Sequence, residues 1–228
     1  DYFAVRRIAK SYLAATPSLA TASVLAGALS GALTRWGAGK RGAPSCQPIS
    51  NIAAALNNTT LHANLANLEA SLPYLAINSN LRRLNPGSPF KSVSDFDKCL
   101  LDTLHQISNQ ILVGNTNVTY PMKSILLITG LMPAFDSQVK GGLAVAGVTG
   151  VNKTRYAMPM YGSADAKKIC SLPFYIAECV SRCSPTINRE VAASNYPDLI
   201  GEHGRIFDIL FFMQNGVSAS SAVVQFSP

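Results

Sequence analysis

Apolar residues between Ser94 and Val113 recur every three or four positions, and this regularity constrains the fold more than any other feature of the chain. The spacing places them on one face of an α-helix, whereas a half-buried β-strand requires strict alternation. Ser94 can cap this helix, and Asp95 and Asp97 lie near its positive end. The segment is therefore predicted to be a core-facing helix. Its apolar stripe consists of Phe96, Leu100, Leu104, Ile107 and Ile111.

The same helical period recurs along most of the chain. A loop is predicted from Asn85 to Pro89, because the Asn-Pro-Gly-Ser-Pro sequence there stops regular structure. Residues 217–226 fit either a tail or an edge strand. These patterns predict an all-α fold, a compact multi-helix domain. The predicted helices cover residues 2–14, 17–36, two short segments between 49 and 75 that separate near 57–60, 94–113, 121–131, a helix opened by Asp136, 163–183 with a kink or division near Pro173, and 202–214.

Positive charge is concentrated at the start of the chain. Residues 1–44 contain six Lys and Arg against Asp1 alone, a net charge of +5, whereas residues 45–228 contain 13 basic and 11 acidic side chains. The glycines and the proline between Gly37 and Pro44 indicate a mobile connection. We therefore divide the chain into a basic, Ala/Gly/Ser-rich helical N-terminal arm, residues 1–44, and a globular α-helical domain, residues 45–228. An anionic partner would be attracted first by the arm.

The uncharged run from Pro17 to Thr34 allows two interpretations. It nearly reaches the length of a membrane span, but its Ala, Gly, Ser and Thr content makes it weakly apolar. Small residues at helical spacing also suit close packing against another helix. We favour a packed helix, and with it a protein partner at the N-terminal helices, over membrane association. No cleavable signal is evident, so we expect an intracellular protein of the cytoplasm, the nucleoid or the nucleus.

Cysteine and glycine patterns indicate neither a metal site nor a cofactor site. The five cysteines are odd in number, and Cys170, Cys179 and Cys183 lack the paired two-residue spacers typical of zinc sites. We predict reduced, partly buried thiols. The chain has no Gly-x-x-x-x-Gly-Lys-Ser/Thr phosphate loop, and its three histidines form no recognisable Ser/His/Asp arrangement. Nucleotide hydrolysis therefore receives little support.

The segment from Lys123 to Val139 carries the most informative pattern. Lys123 lies at the start of one predicted helix, and Asp136 opens the next helix after a turn that contains Pro133. Because the two opposite charges lie at the starts of consecutive helices, their side chains can converge. The segment therefore supplies the first candidate site.

This arrangement resembles divergent members of the helix-hairpin-helix DNA glycosylase superfamily, in which a Lys-bearing helix leads to a Pro-x-x-Asp-Ser-x-Val-like turn. The later sequence Arg205-Ile-Phe-Asp208, followed by bulky apolar residues, is similar to the closing helix of that superfamily. The resemblance covers roughly residues 94–215. It implies a DNA-associated protein that cleaves the N-glycosidic bond of an extruded base.

The same resemblance assigns roles to individual residues. Asp136 maps onto the catalytic carboxylate, which activates a nucleophile or stabilises developing positive charge. Lys123 becomes a candidate amine nucleophile, provided that burial or nearby positive charge lowers its pKa. DNA is then the expected partner, and no cofactor is implied. The residues that we expect to contact the nucleic acid are Arg6, Arg7, Lys10, Arg35, Lys40, Arg41, Gln138, Lys140 and Arg205.

A second interpretation needs no catalysis. Asp136 is also an ordinary helix N-cap, and Lys123 is then a surface charge. The chain would in that case be a structural or partner-binding helical protein, packed on another subunit or a membrane through its N-terminal helices. Catalysis requires Asp136 in a positively charged groove, whereas a packing role predicts Asp136 at a solvated helix end.

Overall fold

The computed structural model describes residues 1–40, 42–78, 81–151 and 156–226. The described chain is mostly helical, as predicted, and adds two small antiparallel sheets. Its helices are α1 (Tyr2–Leu13), α2 (Leu19–Arg35), α3 (Ile49–Leu56), α4 (Thr59–Ser71), α5 (Val93–Gln110), α6 (Thr119–Thr129), α7 (Ser137–Val145), α8 (Ala164–Ala193) and α9 (His203–Gln214). Its strands are β1 (Ser45–Cys46), β2 (Leu75–Asn78), β3 (Leu81–Leu84) and β4 (Leu112–Val113).

Helix α6 lies at the centre of the molecule. Every residue from Tyr120 to Thr129 is buried. The helix contacts α1, α2, α4 and α5, because a helix that is apolar on nearly all sides has to be covered on all of them. Lys123 is the one charged residue of this central helix. A charge in this position needs partners, which are described below.

The N-terminal helices belong to the same hydrophobic core. Val5 and Ala9 of α1 and Leu25 and Leu29 of α2 are almost completely buried. Both helices pack on each other and on α6, and α2 also packs along α3. Residues on both sides of the predicted division at residue 44 therefore contribute to one hydrophobic core. The sequence predicted both helices but not which part of the protein would cover them.

Helix α2 is the packed helix that the sequence favoured. Its buried face includes Ala22 and Ala26, both 0% exposed, whereas Ser23 on another face is exposed. Ser18 caps the helix by accepting a hydrogen bond from the backbone N–H of Thr21 at 3.2 Å, so the helix begins at Leu19, two residues after the predicted start. None of the helices in the described residues is long and apolar enough to cross a membrane.

The predicted break between residues 57 and 60 is confirmed. Helix α3 ends at Leu56, and Asn58 caps α4 by accepting hydrogen bonds from the backbone N–H groups of Thr60 (2.9 Å) and Leu61 (3.1 Å). An Asn side chain competes well for the free N–H groups of a helix start. Two short helices therefore form where one continuous stripe of leucines would also have fitted the period.

The remaining differences have local causes. Helix α5 begins earlier than predicted, because Ser92 rather than Ser94 caps it. Helix α8 runs undivided through Pro173 and Pro185. A proline removes one hydrogen bond of the helix, and packing of the neighbouring buried side chains on the core, Phe174 among them, offsets this cost.

Both sheets are too short to produce a sequence signal. Strand β1 pairs with β4 over two residues each, and β2 pairs with β3 over four residues each, both antiparallel. Residues 217–226 form a tail and not an edge strand, and the tail includes a 3-10 turn at Ala219–Ser221. Val224 is buried, and Phe226 donates its backbone N–H to the carbonyl oxygen of Ala146 at 2.9 Å. The tail is thereby fixed beside the end of α7.

Candidate functional site

A cavity of about 300 Å³ lies where α6, α7, α9 and the end of α2 meet. It combines two basic and two acidic side chains with an aromatic and aliphatic wall, and we call it the Lys123 cavity. The sequence predicted three of its four charged residues, although only two of them as catalytic. Its lining residues are Trp36, Lys123, Ala134, Asp136, Val139, Arg205, Asp208, Ile209 and Phe212.

Lys123 enters the cavity from the buried helix α6. Its side chain is only 10% exposed, so the expectation of a surface charge is wrong. Its ammonium group donates a hydrogen bond to the backbone oxygen of Trp36 at 3.1 Å and lies 5.0 Å from the ring centroid of Tyr120. Burial lowers the pKa of Lys123, and the negative charges of Asp136 and Asp208 only partly oppose this shift. The amine is therefore easier to deprotonate than that of a surface lysine.

Asp136 has two separate interactions, one for each carboxylate oxygen. Its Oδ1 accepts a hydrogen bond from the backbone N–H of Val139 at 3.2 Å, which confirms the predicted N-cap of α7. Its Oδ2 lies 3.8 Å from Nζ of Lys123. The side chain is 32% exposed, so the carboxylate is reached from solvent while it faces the amine. The two charges converge as predicted, although α6 begins at Thr119, so Lys123 lies in the middle of its helix and not at its start.

The turn between α6 and α7 fixes the distance between these two groups. Gly130 ends α6 in the left-handed region, with φ 67°, and buried Phe135 also has a positive φ, 58°. A non-glycine residue in this region is strained and has to be held by its surroundings. The Phe135 ring packs edge-to-face on Tyr156, with ring centroids 5.0 Å apart. Helix α9 closes the turn from the other side, since Gly204 donates its N–H to Gly130 O at 3.0 Å.

Asp208 supports the turn and lines the cavity. Its Oδ1 accepts the backbone N–H of Ala134 at 2.8 Å, and its Oδ2 is paired with the guanidinium of Arg205. Burial raises the pKa of Asp208, the charge of Asp136 adds to this, and the Ala134 N–H and Arg205 oppose it. The guanidinium of Arg205 also lies 5.6 Å from the ring centroid of Trp36.

Sequence reasoning missed the roles of Asp208 and Trp36 in this site. The Arg205-x-x-Asp208 spacing was a usable signal, because residues three apart on a helix meet on one face. Nothing local marked Trp36. It contributes through its position at the end of α2, which tertiary packing brings to Lys123.

Comparison with known proteins finds no matching family, no curated relative and no similar solved structure. We therefore base the candidate site on its geometry alone.

Three of the predicted DNA contacts are bound within the protein. Arg6 is buried, pairs with Glu202 at 3.0 Å and Glu69 at 2.8 Å, and also donates to a backbone oxygen of α6. Lys10 pairs with the same Glu202 at 2.5 Å. Arg35 pairs with Asp1 at 2.7 Å on the surface. Arg6 is inaccessible to DNA as folded, and that expectation is corrected.

The other predicted contacts differ in exposure. Arg7 and Lys40 are exposed, whereas Lys140 is buried at 4% exposure, so it cannot present its charge to a phosphate without moving. Gln138 is exposed and accepts a hydrogen bond from Asn215 at 2.5 Å. Arg41 lies outside the described residues. Of the basic residues of 1–44 that the structure describes, Arg6 alone is buried, whereas Arg7, Lys10, Arg35 and Lys40 are exposed.

Metal-binding side chains do not cluster in the described residues. Within them, no group of three His, Cys, Asp or Glu is placed to hold a metal ion. Cys170 and Cys179 are buried, and burial raises the pKa of both thiols. His203 faces a different cavity from Asp136, one lined by residues of η1 (Leu72–Tyr74), β2 and α8.

Proposed function

We propose that the chain is a DNA-associated protein that cleaves the N-glycosidic bond of an extruded base, with Lys123 as the amine nucleophile and Asp136 as the assisting carboxylate. The observation that carries the proposal is the Lys123–Asp136 pair, 3.8 Å apart in a cavity with an aromatic wall. A lowered pKa and an adjacent carboxylate are what such an amine needs.

The chemistry balances with the groups in the cavity. Asp136 takes one proton from the ammonium group of Lys123, and the resulting neutral amine forms a bond to C1′ of the sugar as the bond from C1′ to the base breaks. The departing base keeps the bonding electron pair and takes up the proton that Asp136 received from Lys123. The carboxylate of Asp136 stabilises the positive charge that develops at C1′. The attached nitrogen then loses a second proton to Asp136, and the sugar ring opens as O4′ takes up that proton. This leaves a protonated imine between Lys123 and C1′, which water hydrolyses to release the enzyme.

The wall of the cavity suits a flat, uncharged ring. Trp36 and Phe212 contribute aromatic surface, and 56% of Phe212 is exposed at the rim. Aromatic side chains stack on extruded bases in enzymes that act on them. Arg205, whose side chain is 28% exposed, lies beside the wall and can meet a phosphate at the entrance.

Reductive trapping tests the proposal directly. A duplex oligonucleotide with one abasic site is incubated with the protein and borohydride, which converts an imine to a stable amine. We expect a cross-link that peptide mapping places on Lys123, and we expect Lys123→Gln to abolish that cross-link. Lys98→Gln, which changes an exposed lysine on α5, is the matched control and should trap as the unchanged protein does.

Base release provides the second measurement. On a panel of duplexes that each carry one altered base, Asp136→Asn should slow release about 100-fold. Asn retains the helix cap, so folding stays intact. Trapping that survives in Lys123→Gln, or no binding to duplex DNA even at low salt, would overturn the proposal.

The noncatalytic alternative has one observation in its favour. Leu19 and Val24 on α2 are 57% and 59% exposed, and a side chain added at Gly27 would meet no atom within 4 Å. This face suits another helix. Sedimentation velocity of the protein and of Val24→Glu tests for self-association through α2. A concentration-dependent dimer that Val24→Glu dissociates would support this alternative.

A further inference from the structure

A second and larger cavity, of about 750 Å³, lies between the β2–β3 hairpin, α8, the loop after α7 and the C-terminal tail. It shares no lining residue with the Lys123 cavity. Its volume falls within the range of pockets that hold small molecules. We call it the basic cleft. The lining residues that matter for its chemistry are Arg82, Lys167, Lys168, Tyr175, Glu178 and Phe226.

Two lysines give the basic cleft its charge. Lys168 donates a hydrogen bond to the backbone oxygen of Gly150 at 3.4 Å, and a Cβ at position 150 would lie 2.3 Å from its Nζ. The glycine therefore allows the ammonium group to sit against the loop. Lys167 is exposed. In the described part of the chain, neither lysine pairs with a carboxylate.

The other charges at the basic cleft are already paired. Arg82 donates two hydrogen bonds of 2.7 Å to the carboxylate of Asp97. Glu178 lies 3.9 Å from Arg182, one turn further along α8. The two lysines are thus the uncompensated charges. They also lie close to the start of α8, where the helix dipole favours negative rather than positive charge, so an anion beside them would be stabilised.

One wall of the basic cleft is aromatic. The rings of Tyr175 and Phe226 lie 4.9 Å apart and are tilted by 30°. The hydrogen bond from Phe226 N to Ala146 O, 2.9 Å, fixes the tail that carries the second ring. A partly exposed aromatic pair offers a surface on which a planar ring can stack.

We propose that the basic cleft binds a nucleotide, with the phosphate between Lys167 and Lys168 and the base against Tyr175 and Phe226. The charge-assisted hydrogen bonds of two ammonium groups recognise the phosphate. The aromatic wall accounts for the preference for a nucleotide over inorganic phosphate. This site does not depend on the Lys123 cavity, so neither proposal falls with the other.

Isothermal titration calorimetry with the full chain tests the nucleotide site. The probes are the four ribonucleoside 5′-monophosphates, adenosine and inorganic phosphate. We expect at least one monophosphate to bind more tightly than both adenosine and inorganic phosphate. The double variant Lys167→Gln/Lys168→Gln should weaken binding at least about tenfold, the loss expected when a charge-assisted hydrogen bond is removed.

Matched variants distinguish binding at the basic cleft from nonspecific attraction to the positive charge of the protein. Lys91→Gln/Lys98→Gln removes two exposed lysines elsewhere and should bind as the unchanged protein does. Tyr175→Leu should weaken the binding of the nucleotide but not that of inorganic phosphate. If the double lysine variant melts at a lower temperature than the unchanged protein, the single variant Lys167→Gln takes its place. No binding of any monophosphate at millimolar concentration, equal binding of adenosine, or full affinity in the lysine variants would overturn the proposal.

Discussion

Glu202 pairs with two of the N-terminal basic residues, Arg6 and Lys10. Its carboxylate, 5% exposed, accepts hydrogen bonds from Tyr2 at 2.6 Å, Arg6 at 3.0 Å and Lys10 at 2.5 Å. Burial alone would raise the pKa of Glu202, but Lys10, Tyr2 and Arg6 outweigh it, and the pKa is lowered. A charge that looks available for DNA in the sequence is therefore neutralised inside the fold, at a sequence separation of 196 residues for Arg6.

This network makes stability depend on pH. A carboxyl whose pKa is lower in the folded state stabilises the protein above its unfolded pKa, about 4.3, and loses this contribution as pH falls through the folded value. We expect Glu202→Gln to reduce the free energy of unfolding at pH 7 by about 3 kcal/mol, because Arg6 stays buried with a partner removed. The difference should shrink in acid.

Urea unfolding between pH 7 and pH 3 provides the measurement for Glu202. The control is Glu190→Gln, which removes a pair whose partners are 72% and 66% exposed and should cost less than about 0.5 kcal/mol. Equal stability of Glu202→Gln and the unchanged protein at pH 7 would show that the network does not stabilise the fold.

Asp136 favours the protonated form of Lys123. Its negative charge raises the pKa of a lysine that burial lowers. Asp136→Asn should therefore lower the pKa of Lys123 further, while Asn keeps the cap of α7 and the melting temperature. The pH at which acetylation of Lys123 reaches half its maximal rate, followed by mass spectrometry, should move downward. Exposed Lys98 is the internal reference, and an upward or absent change would contradict the pairing.

At the scale of elements, the approach of α9 to the end of α6 holds the candidate site together. A Cβ at Gly204 would lie 2.2 Å from the backbone oxygen of Gly130. Backbone cannot yield as a flexible side chain does. We expect Gly204→Ala to destabilise the protein by about 2 kcal/mol and to displace the turn that carries Asp136.

Gly27→Ala is the matched control for this substitution. Gly27 lies inside α2, and a Cβ there would meet no atom within 4 Å. Alanine should stabilise that helix by up to about 1 kcal/mol, because it loses less backbone freedom on folding. Thermal unfolding of the two variants compares them directly. A Gly204→Ala variant as stable as the unchanged protein would show that α9 does not fix the turn.

Elements with a local signal could be predicted from the sequence, and contacts between distant elements could not. The stripe in α5 and the Asn58 cap follow from neighbouring residues. The convergence of Lys123 and Asp136 was also predictable, since only one turn separates their helices. The support that Asp208 gives to Ala134 spans 74 residues, and no local pattern encodes it. The short strand pairs escaped prediction because two to four residues are too few to show a period.

At the scale of the whole molecule, the N-terminal helices provide structure more than charge. Arg6, Lys10 and Arg35 are held in ion pairs, so three of the predicted contacts of residues 1–44 are engaged within the protein. Exposed Arg7 and Lys40 remain available to an anionic partner. Duplex DNA binding should therefore depend on salt less steeply than six free basic side chains would require. Filter binding between 50 and 200 mM salt measures this slope, and a slope equivalent to six or more released counterions would contradict the pairing.

Removal of residues 1–44 tests the architecture as a whole. The deletion takes away α1 and α2, exposes the apolar surface of α6 that they cover, and leaves Glu202 buried without Arg6 and Lys10. Each change alone costs several kcal/mol, and together they exceed the roughly 5–15 kcal/mol by which a domain is stable. We expect the truncated chain to lose its cooperative transition in differential scanning calorimetry. Adding residues 1–44 as a separate peptide should restore it, whereas cooperative melting of the truncated chain alone would show that residues 45–228 form an independent domain.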